Sequence, residues 1–512
     1  MKFILSIDCG STGIRVALFN KRGVFALEYE KIPILSPQAG WMEYDPHFLW
    51  QSLLSIINRI FQRTDVHPKD IAVIGLANQR GTFLLWDKQT GNPVINFISW
   101  NDLRAVDTCE EMNKSKKWRL MKKLALVGSK ITRNTTFTAS SMLEFTTFHS
   151  SIRMKWILDN IEGLRERCKT GEIAFGTLDS WFIYKLTGGK IHATDYSNAA
   201  ATGLLNPFTL GWNRVFFWLF GIPIEVVPDV KDSSDDFGFT DSSLFEGIEI
   251  PIRSVIGDQQ AALFGQCCFS EGEVKISQGS GAFVSMNAGK IAKLSKRGLL
   301  PSIAWVIDGE PTYMLEGHVA TVGTLIDWLG QGIGLSDTPK VLNEYAAQCK
   351  ETGGVIFIPT PSGINFPYYS PRTRANILGL SLNTQRCHVA RAVFEGIALR
   401  ILDILTGMEK DTKTQIRLLK ADGGVSKSDI LLQCIANFTN LEVNRAPELD
   451  MTATGAAYLA GLNVGFWQDL DELKQIYSSS DPTTFRPMID SQKRQEKIKQ
   501  WKQALKAILT IH

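Results

Sequence analysis

Two patterns of apolar and polar positions recur far apart in this chain. Phe3-Ile-Leu-Ser-Ile-Asp8 reads as a strand, Cys9-Gly-Ser-Thr-Gly13 as a glycine and hydroxyl turn, and Ile14-Arg-Val-Ala-Leu-Phe19 as a second strand. Near residue 280 the unit returns, with the alternating run 273–277, the turn Gln278-Gly-Ser-Gly-Ala282 and the run 283–286. A strand, Gly/Ser turn, strand unit that occurs twice predicts two similar α/β domains, each giving one loop to a shared cleft. Glycine in such turns lets backbone N–H groups approach an anion, because it tolerates unusual φ and has no Cβ in the way. Two loops of this kind suit a nucleoside triphosphate, with Asp8 holding water on a metal ion.

Between them lies the apolar run 252–256, then Gly257-Asp258-Gln259-Gln260 and the helix-like Ala261-Ala-Leu-Phe-Gly265. Open α/β sheets place their chemistry at the carboxyl ends of strands, so Asp258 reads as a general base. Taken alone, the same stretch also suits a capped helix followed by an ordinary hairpin.

The rest of the pattern alternates strands with helices. A strand over 24–32 precedes a loop, and Asp45 followed by Pro46 predicts a helix start, the helix running to about residue 63. The buried run 71–77 carries Asn78-Gln-Arg-Gly81 at its carboxyl end, with strands predicted at 82–86 and 94–100. Arg80 and Trp100 then sit at strand ends, where a polar group and a flat wall shape a small polar pocket. A surface arginine and a core tryptophan would read the same way. Residues 113–133 are basic and irregular, predicting a solvated helical face or an excursion loop. A helix is expected over 175–187, a polar loop over 195–203, and the connection to the second domain near 230–250.

In the second half, residues 315–328 predict a helix with His318 near its start as a structural histidine, and 359–367 a long loop. Residues 384–405 predict a long helix, 416–421 a strand entering Asp422-Gly-Gly424, and 428–438 the helix after it. A Gly-Gly pair at such a turn lets a base or ribose lie against the backbone. Residues 452–461 are rich in small side chains, as close helix packing requires, and 491–509 read as a basic amphipathic helix docked on the protein.

Composition narrows the class. The chain has 512 residues, 44% hydrophobic and 21% charged, as ordinary globular proteins do. A net charge of +3 gives no global reason to expect nucleic acid or an anionic membrane surface. The eight cysteines lack CxxC or Cys/His metal spacing, so reduced thiols of a cytoplasmic protein are expected rather than disulfides. Met1-Lys2 leads straight into the first strand, predicting no cleaved leader, and no apolar run approaches the ~20 residues of a membrane span.

The motifs Asp8-Cys-Gly-Ser-Thr-Gly, Asn78-Gln-Arg, Gly257-Asp-Gln-Gln-Ala-Ala-Leu-Phe-Gly, Gly279-Ser-Gly, Asp422-Gly-Gly and Gly455-Ala-Ala-Tyr-Leu-Ala-Gly-Leu follow one another in the order seen in the FGGY carbohydrate kinases. Residues 148–160 resemble one signature of that family, with Arg153 where lysine is usual, and residues 379–395 resemble the other. The likeness covers essentially the whole chain and is closest to the glycerol kinases, among them a divergent animal branch.

That resemblance implies two actin-like ATPase (ribonuclease H-like) domains with an interdomain cleft. Residues 1–253 would hold the polyol site and first phosphate loop; residues 254–512 would hold the base, second phosphate loop and adenosine site. Asp258 would take the proton from the substrate hydroxyl. Arg80, Gly81, Trp100, Phe148, Gln259 and Phe283 would surround the polyol. Ser11, Thr12, Gly13, Arg15 and Ser280 would meet the phosphates, and Gly323, Asp327, Gly424 and Ser428 would line the nucleotide side. Asp8 would sit near Mg2+. The ligands implied are glycerol and ATP, and a homodimer is the assembly carried as an expectation.

Two positions depart from the glycerol kinase pattern. Gly81 stands where glutamate is typical, and Phe148 stands where a tyrosine hydroxyl reaches glycerol. Each lost hydrogen bond costs about 1–3 kcal/mol if nothing replaces it. A kinase for a larger polyol or ketose, or a regulatory ligand-binding protein on a kinase scaffold, therefore stands beside ATP-dependent glycerol phosphorylation as a reading.

Overall fold

The structure is a computed structural model that describes residues 2–295, 297–447 and 450–511. They divide into two compact units. One comprises residues 1–261, 302–312 and 452–473, the other residues 262–301, 313–451 and 474–512.

The first unit is organised on a five-stranded sheet. Strand Phe3–Cys9 pairs antiparallel with Gly13–Asn20, which pairs antiparallel with Gly23–Lys31. On the other side Phe3–Cys9 runs parallel to Ile71–Asn78, and that strand runs parallel to Ile252–Gly257. A strand covered on both faces is buried along its whole length, and every residue of Phe3–Cys9 is buried, Ser6 and Asp8 included. Helices Pro46–Thr64 and Leu178–Leu186 give the core its Leu53, Ile56, Ile60, Trp181 and Phe182. Asp45 caps the first of these helices by accepting from His47 and Phe48 N–H at 2.8 and 3.2 Å, with Pro46 at its first position.

The second unit repeats that strand order. Val274–Gln278 pairs antiparallel with Ala282–Gly289, which pairs antiparallel with Glu310–Val319. Val274–Gln278 also runs parallel to Leu418–Asp422, itself parallel to Glu442–Arg445. The repeat legible around residues 10 and 280 is thus the visible part of a duplicated five-strand topology.

Several local expectations change. Residues 310–319 form a strand, not the start of a helix, and the helix begins only at Gly323. Residues 312–317 are buried in succession, which erases the period-2 signal. His318 accordingly lies on a strand. Residues 173–177 are a strand, so the helix expected from residue 175 begins at Leu178. Of the strand predicted over 94–100, Phe97–Ile98 forms a strand, pairing antiparallel with Glu43–Tyr44. Of the two forms expected for the basic stretch, the helical one is found, as Val106–Lys114 and Lys116–Thr132.

The expectation of reduced thiols throughout is corrected. Cys349 and Cys387 are disulfide-bonded, with Cα atoms 5.8 Å apart. The fold brings the chain just after helix Pro339–Ala347 to the first turn of helix Arg386–Thr412, a proximity invisible to sequence spacing. The other six cysteines are free and buried.

Candidate active site

In the first unit three parallel strands end at one level. Asp8 pairs with Ala77, Cys9 with Asn78, and Gly257 with Asn78. Register alone therefore places the turn after Cys9, the segment Gln79-Arg80-Gly81 and the pair Asp258-Gln259 along one sheet edge, at the carboxyl ends where α/β sheets bind ligands.

The turn after Cys9 is closed by Gly10 N–H donating to Gly13 carbonyl at 3.0 Å. Gly13 is obligatory, since an added Cβ would lie 2.2 Å from the Tyr29 ring. Tyr29 hydroxyl donates to Thr12 carbonyl at 3.1 Å, leaving the Thr12 side chain exposed. Ser11 hydroxyl donates to Gln79 Oε1 at 3.1 Å and accepts from Trp100 Nε1 at 3.0 Å. Gln79 also accepts from Thr82 hydroxyl at 3.1 Å, and Thr82 accepts from Trp100 N–H at 3.1 Å. The loop expected to meet phosphate and the tryptophan expected to wall the polyol are thus joined by one hydrogen-bonded chain. Asp8 is buried at the strand end, and Arg15 Nη1 lies 3.5 Å from its Oδ2. Cys9 beside it is fully buried, and burial followed by the Asp8 charge pushes its thiol well up, so it is no nucleophile.

Asp258 opens the helix Asp258–Gly265, and its Oδ1 accepts from Gln259 N–H at 2.7 Å. Arg80 Nε lies 3.4 Å from the same oxygen. Gly257 makes that approach possible, because a Cβ there would stand 2.8 Å from Arg80 Cγ and 2.9 Å from Gln260 Oε1. Trp100 and Phe148 rings lie 5.6 Å apart, forming an aromatic corner beside Gly81. Gly81 itself has φ +74°, and an added Cβ would meet Phe148 carbonyl at 3.1 Å and Arg153 Nη2 at 3.5 Å. The absent glutamate therefore leaves no vacancy that a side chain can simply refill.

Two groups support the site in ways that sequence reasoning missed. Arg153 is buried and donates to five carbonyls, those of Gly81, Ile98, Ser99, Thr147 and Phe148. Burial draws its pKa down to about 9. It holds the backbone of Gly81 and Phe148 in place from the mostly buried helix Ser150–Asn160, and its cue in the sequence was its place in the signature at 148–160, where lysine is usual. The second group is Asp195, which accepts from Ser197, Asn198 and Ser233. Ser197 in turn accepts from Gly257 N–H at 2.8 Å, and Asn198 donates to Asn78 at 3.2 Å. Two of the three strand ends thus rest on one polar network, whose sequence trace was no more than a polar loop.

In the second unit the turn after Gln278 is braced from the helix Gly323–Gln331. Gly323 N–H donates to Gly279 carbonyl at 3.0 Å, and Val322 N–H to Ser280 carbonyl at 2.7 Å. A Cβ on Gly323 would lie 2.6 Å from Gly279 carbonyl, so the close approach requires glycine. Gly279 and Gly424 have no heavy atom within 4 Å of an added Cβ, so both present bare backbone to open space. Ser280 is exposed beside them. Gly423 has φ +87° and its turn follows Asp422, which pairs across to Ser277. Ser428 caps the helix Asp429–Thr439 and is hydrogen-bonded to Asn343. Asp327 is exposed on the helix Gly323–Gln331, and Phe283 stacks on His318 at 5.7 Å. These residues form a glycine-backed surface of the kind a flat base and its phosphates occupy.

The fold and these two surfaces define a sugar-kinase-like ATPase, and comparison with known proteins gives the family. Residues 3–265 match the N-terminal domain and residues 274–464 the C-terminal domain of the FGGY family of carbohydrate kinases, and the chain belongs to that family. It is 39% identical to a glycerol kinase of Carboxydothermus hydrogenoformans over 98% of this chain and 97% of that one. A glycerol kinase of Francisella philomiragia is also 39% identical, over 98% of both chains. The structure superposes on Plasmodium falciparum glycerol kinase with ADP at TM-score 0.90 and 30% identity, covering 99% and 98% of the two chains. A xylulose kinase of Lactobacillus acidophilus shares the fold at TM-score 0.84 and 21% identity.

Proposed function

We propose that this protein is an ATP-dependent glycerol kinase, making sn-glycerol 3-phosphate. The observation that carries the reading is the alignment of three strand ends, which sets Asp258, Arg80 and the Ser11 turn on one edge. Full-length similarity to glycerol kinases at 39% identity supports the substrate.

Phosphoryl transfer needs positioning, charge neutralisation and a base, with little covalent chemistry from the protein. Asp258 accepts the proton of the attacking hydroxyl while Arg80 fixes its carboxylate. Gln259, Trp100, Phe148 and Phe283 orient and wall the polyol. Ser11, Thr12, Gly13, Arg15 and Ser280 meet the phosphates, and Gly323, Asp327, Gly424 and Ser428 take the nucleoside. The bare backbone at Gly279 and Gly424 fits a nucleotide. Asp8 offers the hard carboxylate oxygen that Mg2+ prefers, and that ion would supply charge neutralisation at the phosphates. The protein is placed in the cytoplasm as a homodimer on this reading.

Gly81 supports a second reading, a kinase for another polyol or ketose, because its carbonyl is held by Arg153 and glycine has no carboxylate to offer a glycerol hydroxyl. ATP consumption across glycerol, dihydroxyacetone, ribulose, xylulose and erythritol separates the two. Turnover greatest with glycerol supports the first reading; a higher kcat/KM for a ketose replaces it with the second.

A further inference from the structure

The helix Lys116–Thr132 turns an apolar stripe away from the protein. Its inward face is marked by Trp118, 1% exposed, and Ala125, 9% exposed. Leu120, Leu124, Val127 and Ile131, spaced i, i+4, i+7 and i+11, are 59%, 63%, 55% and 77% exposed. At about 100° per residue these four fall within about 60° of one another and diametrically opposite Trp118. Scattered exposed leucines need no explanation, whereas a contiguous stripe on the outer face of one helix does.

The charge around the stripe is one-sided. Residues 116–142 contain five lysines and two arginines and no aspartate or glutamate. On the helix, Arg119, Lys123, Lys130 and Lys116 line one flank of the stripe and Lys117 the other. Among the described residues of this helix only Lys122, on the inward side, has an ion pair, to Glu144. Lys117 Nζ stands 3.3 Å from the ring centre of Trp218, a tryptophan 62% exposed on the neighbouring helix Arg214–Phe220. The following helix Thr135–Met142 lies against the first through Phe137 at Gly128, and adds exposed Phe137 and Met142. The chain's overall charge of +3 conceals this local excess.

We propose that this helical hairpin lies on the surface of an anionic lipid bilayer. Leu120, Leu124, Val127 and Ile131 enter the boundary between headgroups and acyl chains, Trp218 sits at headgroup level, and the flanking lysines and arginines meet lipid phosphates and carboxylates. An apolar stripe bordered by cations, with low net hydrophobicity, is the composition of interfacial helices. Charge decides against a second copy of this chain as the occupant, because a two-fold contact would oppose the cations flanking one stripe with the same cations flanking the other. No helix among the described residues is long and apolar enough to cross a membrane, so the contact is peripheral.

Co-sedimentation of the full chain with vesicles tests this. Binding to vesicles of phosphatidylcholine with about 30% phosphatidylserine should exceed binding to pure phosphatidylcholine at least tenfold, and fall steeply at about 0.5 M salt. The double variant L124S/I131S, changed only at exposed positions, should lose at least tenfold in vesicle binding while keeping kinase turnover. Brominated lipid should quench tryptophan fluorescence in the wild type and do so less in Trp218→Ala. Absence of binding to anionic vesicles would overturn the inference, and so would binding that L124S/I131S leaves unchanged. A mass that doubles with protein concentration, and does so only with the stripe intact, would assign the surface to self-association instead.

Discussion

Arg80 Nε lies 3.4 Å from Asp258 Oδ1, and the glycine before Asp258 is what lets the two meet. The arginine leaves one strand end and the aspartate the next, so parallel pairing of Asn78 with Gly257 sets their separation. A base acts only within reach of the proton it takes, and this ion pair fixes where that reach begins. Asp258→Asn removes the proton acceptor but keeps its shape. Turnover should fall roughly 10²–10⁴-fold while calorimetry still detects ATP binding. Retained turnover would take Asp258 out of the base role. Arg80→Ala should raise KM for the polyol as well as lower kcat, because the carboxylate loses its partner.

Restoring the glutamate typical of glycerol kinases at position 81 looks from sequence like a gain of affinity. The backbone says otherwise. At φ +74°, a non-glycine residue costs about 1–2 kcal/mol, and the new Cβ would press on Phe148 carbonyl at 3.1 Å. Gly81→Glu should lower Tm and leave KM for glycerol no better than wild type. A lower KM with unchanged Tm would show that the loop around residue 81 relaxes freely.

Arg153 joins that loop to the strand end before Trp100, by five hydrogen bonds to carbonyl groups. Arg153→Met takes a donor from all five carbonyls, and although Ser150 hydroxyl still donates to Gly81 and Asp102 N–H to Ser99, the loss is about 3–5 kcal/mol on the scale of broken buried polar networks. The lysine usual at this position reaches fewer acceptors than a planar guanidinium. Arg153→Lys should therefore lie between wild type and Arg153→Met in Tm, with KM for the polyol rising in step and kcat changing less. A KM unchanged in both would separate the clamp from substrate binding.

The Cys349–Cys387 bond closes a segment of 38 residues of sequence separation. Constraint of the unfolded chain by such a loop contributes about 4 kcal/mol in the chain-entropy account. Denatured, unreduced protein should titrate six thiols, and Cys349→Ser should lower Tm. Eight titratable thiols would return the chain to the fully reduced state that its composition suggests.

What was legible depended on how local the signal was. The two hairpins announced themselves because turn chemistry and strand periodicity sit together within about twenty residues. The position of Asp258 at a strand end was legible because a strand and a helix flank it directly. Residues 310–319 misled because burial on both faces removes the alternation that separates strand from helix. The clamp made by Arg153, the link from Asp195 to Ser233 and the cysteine pair were hidden because they join positions dozens of residues apart, as with Arg153 and Gly81, 72 residues apart. Gly81 was seen as a departure, yet only its φ showed that the departure reaches into the backbone.

His149 gives the site a pH signature. It precedes the helix Ser150–Asn160, packs against Gly203, and has a buried Nδ1 with no hydrogen-bond partner among the described residues. Burial, and then the charge of Arg153, push its pKa down to about 4. A proton there would also face the positive end of the helix. Between pH 6.5 and about 4 the unfolded chain takes up a proton on this histidine that the folded protein declines, so the folded state loses stability as pH falls through that window. The loss amounts to about 1–3 kcal/mol. His192, also drawn down to about 4 by burial, acts with the same sign, while Asp179, raised to about 7 by burial, acts with the opposite sign. Comparing wild type with His149→Gln cancels those shared contributions. The variant should be less stable at pH 7 and regain ground steadily on acidification, so that the two Tm curves converge toward pH 4. Curves that stay parallel would mean that His149 titrates alike in the folded and unfolded chain.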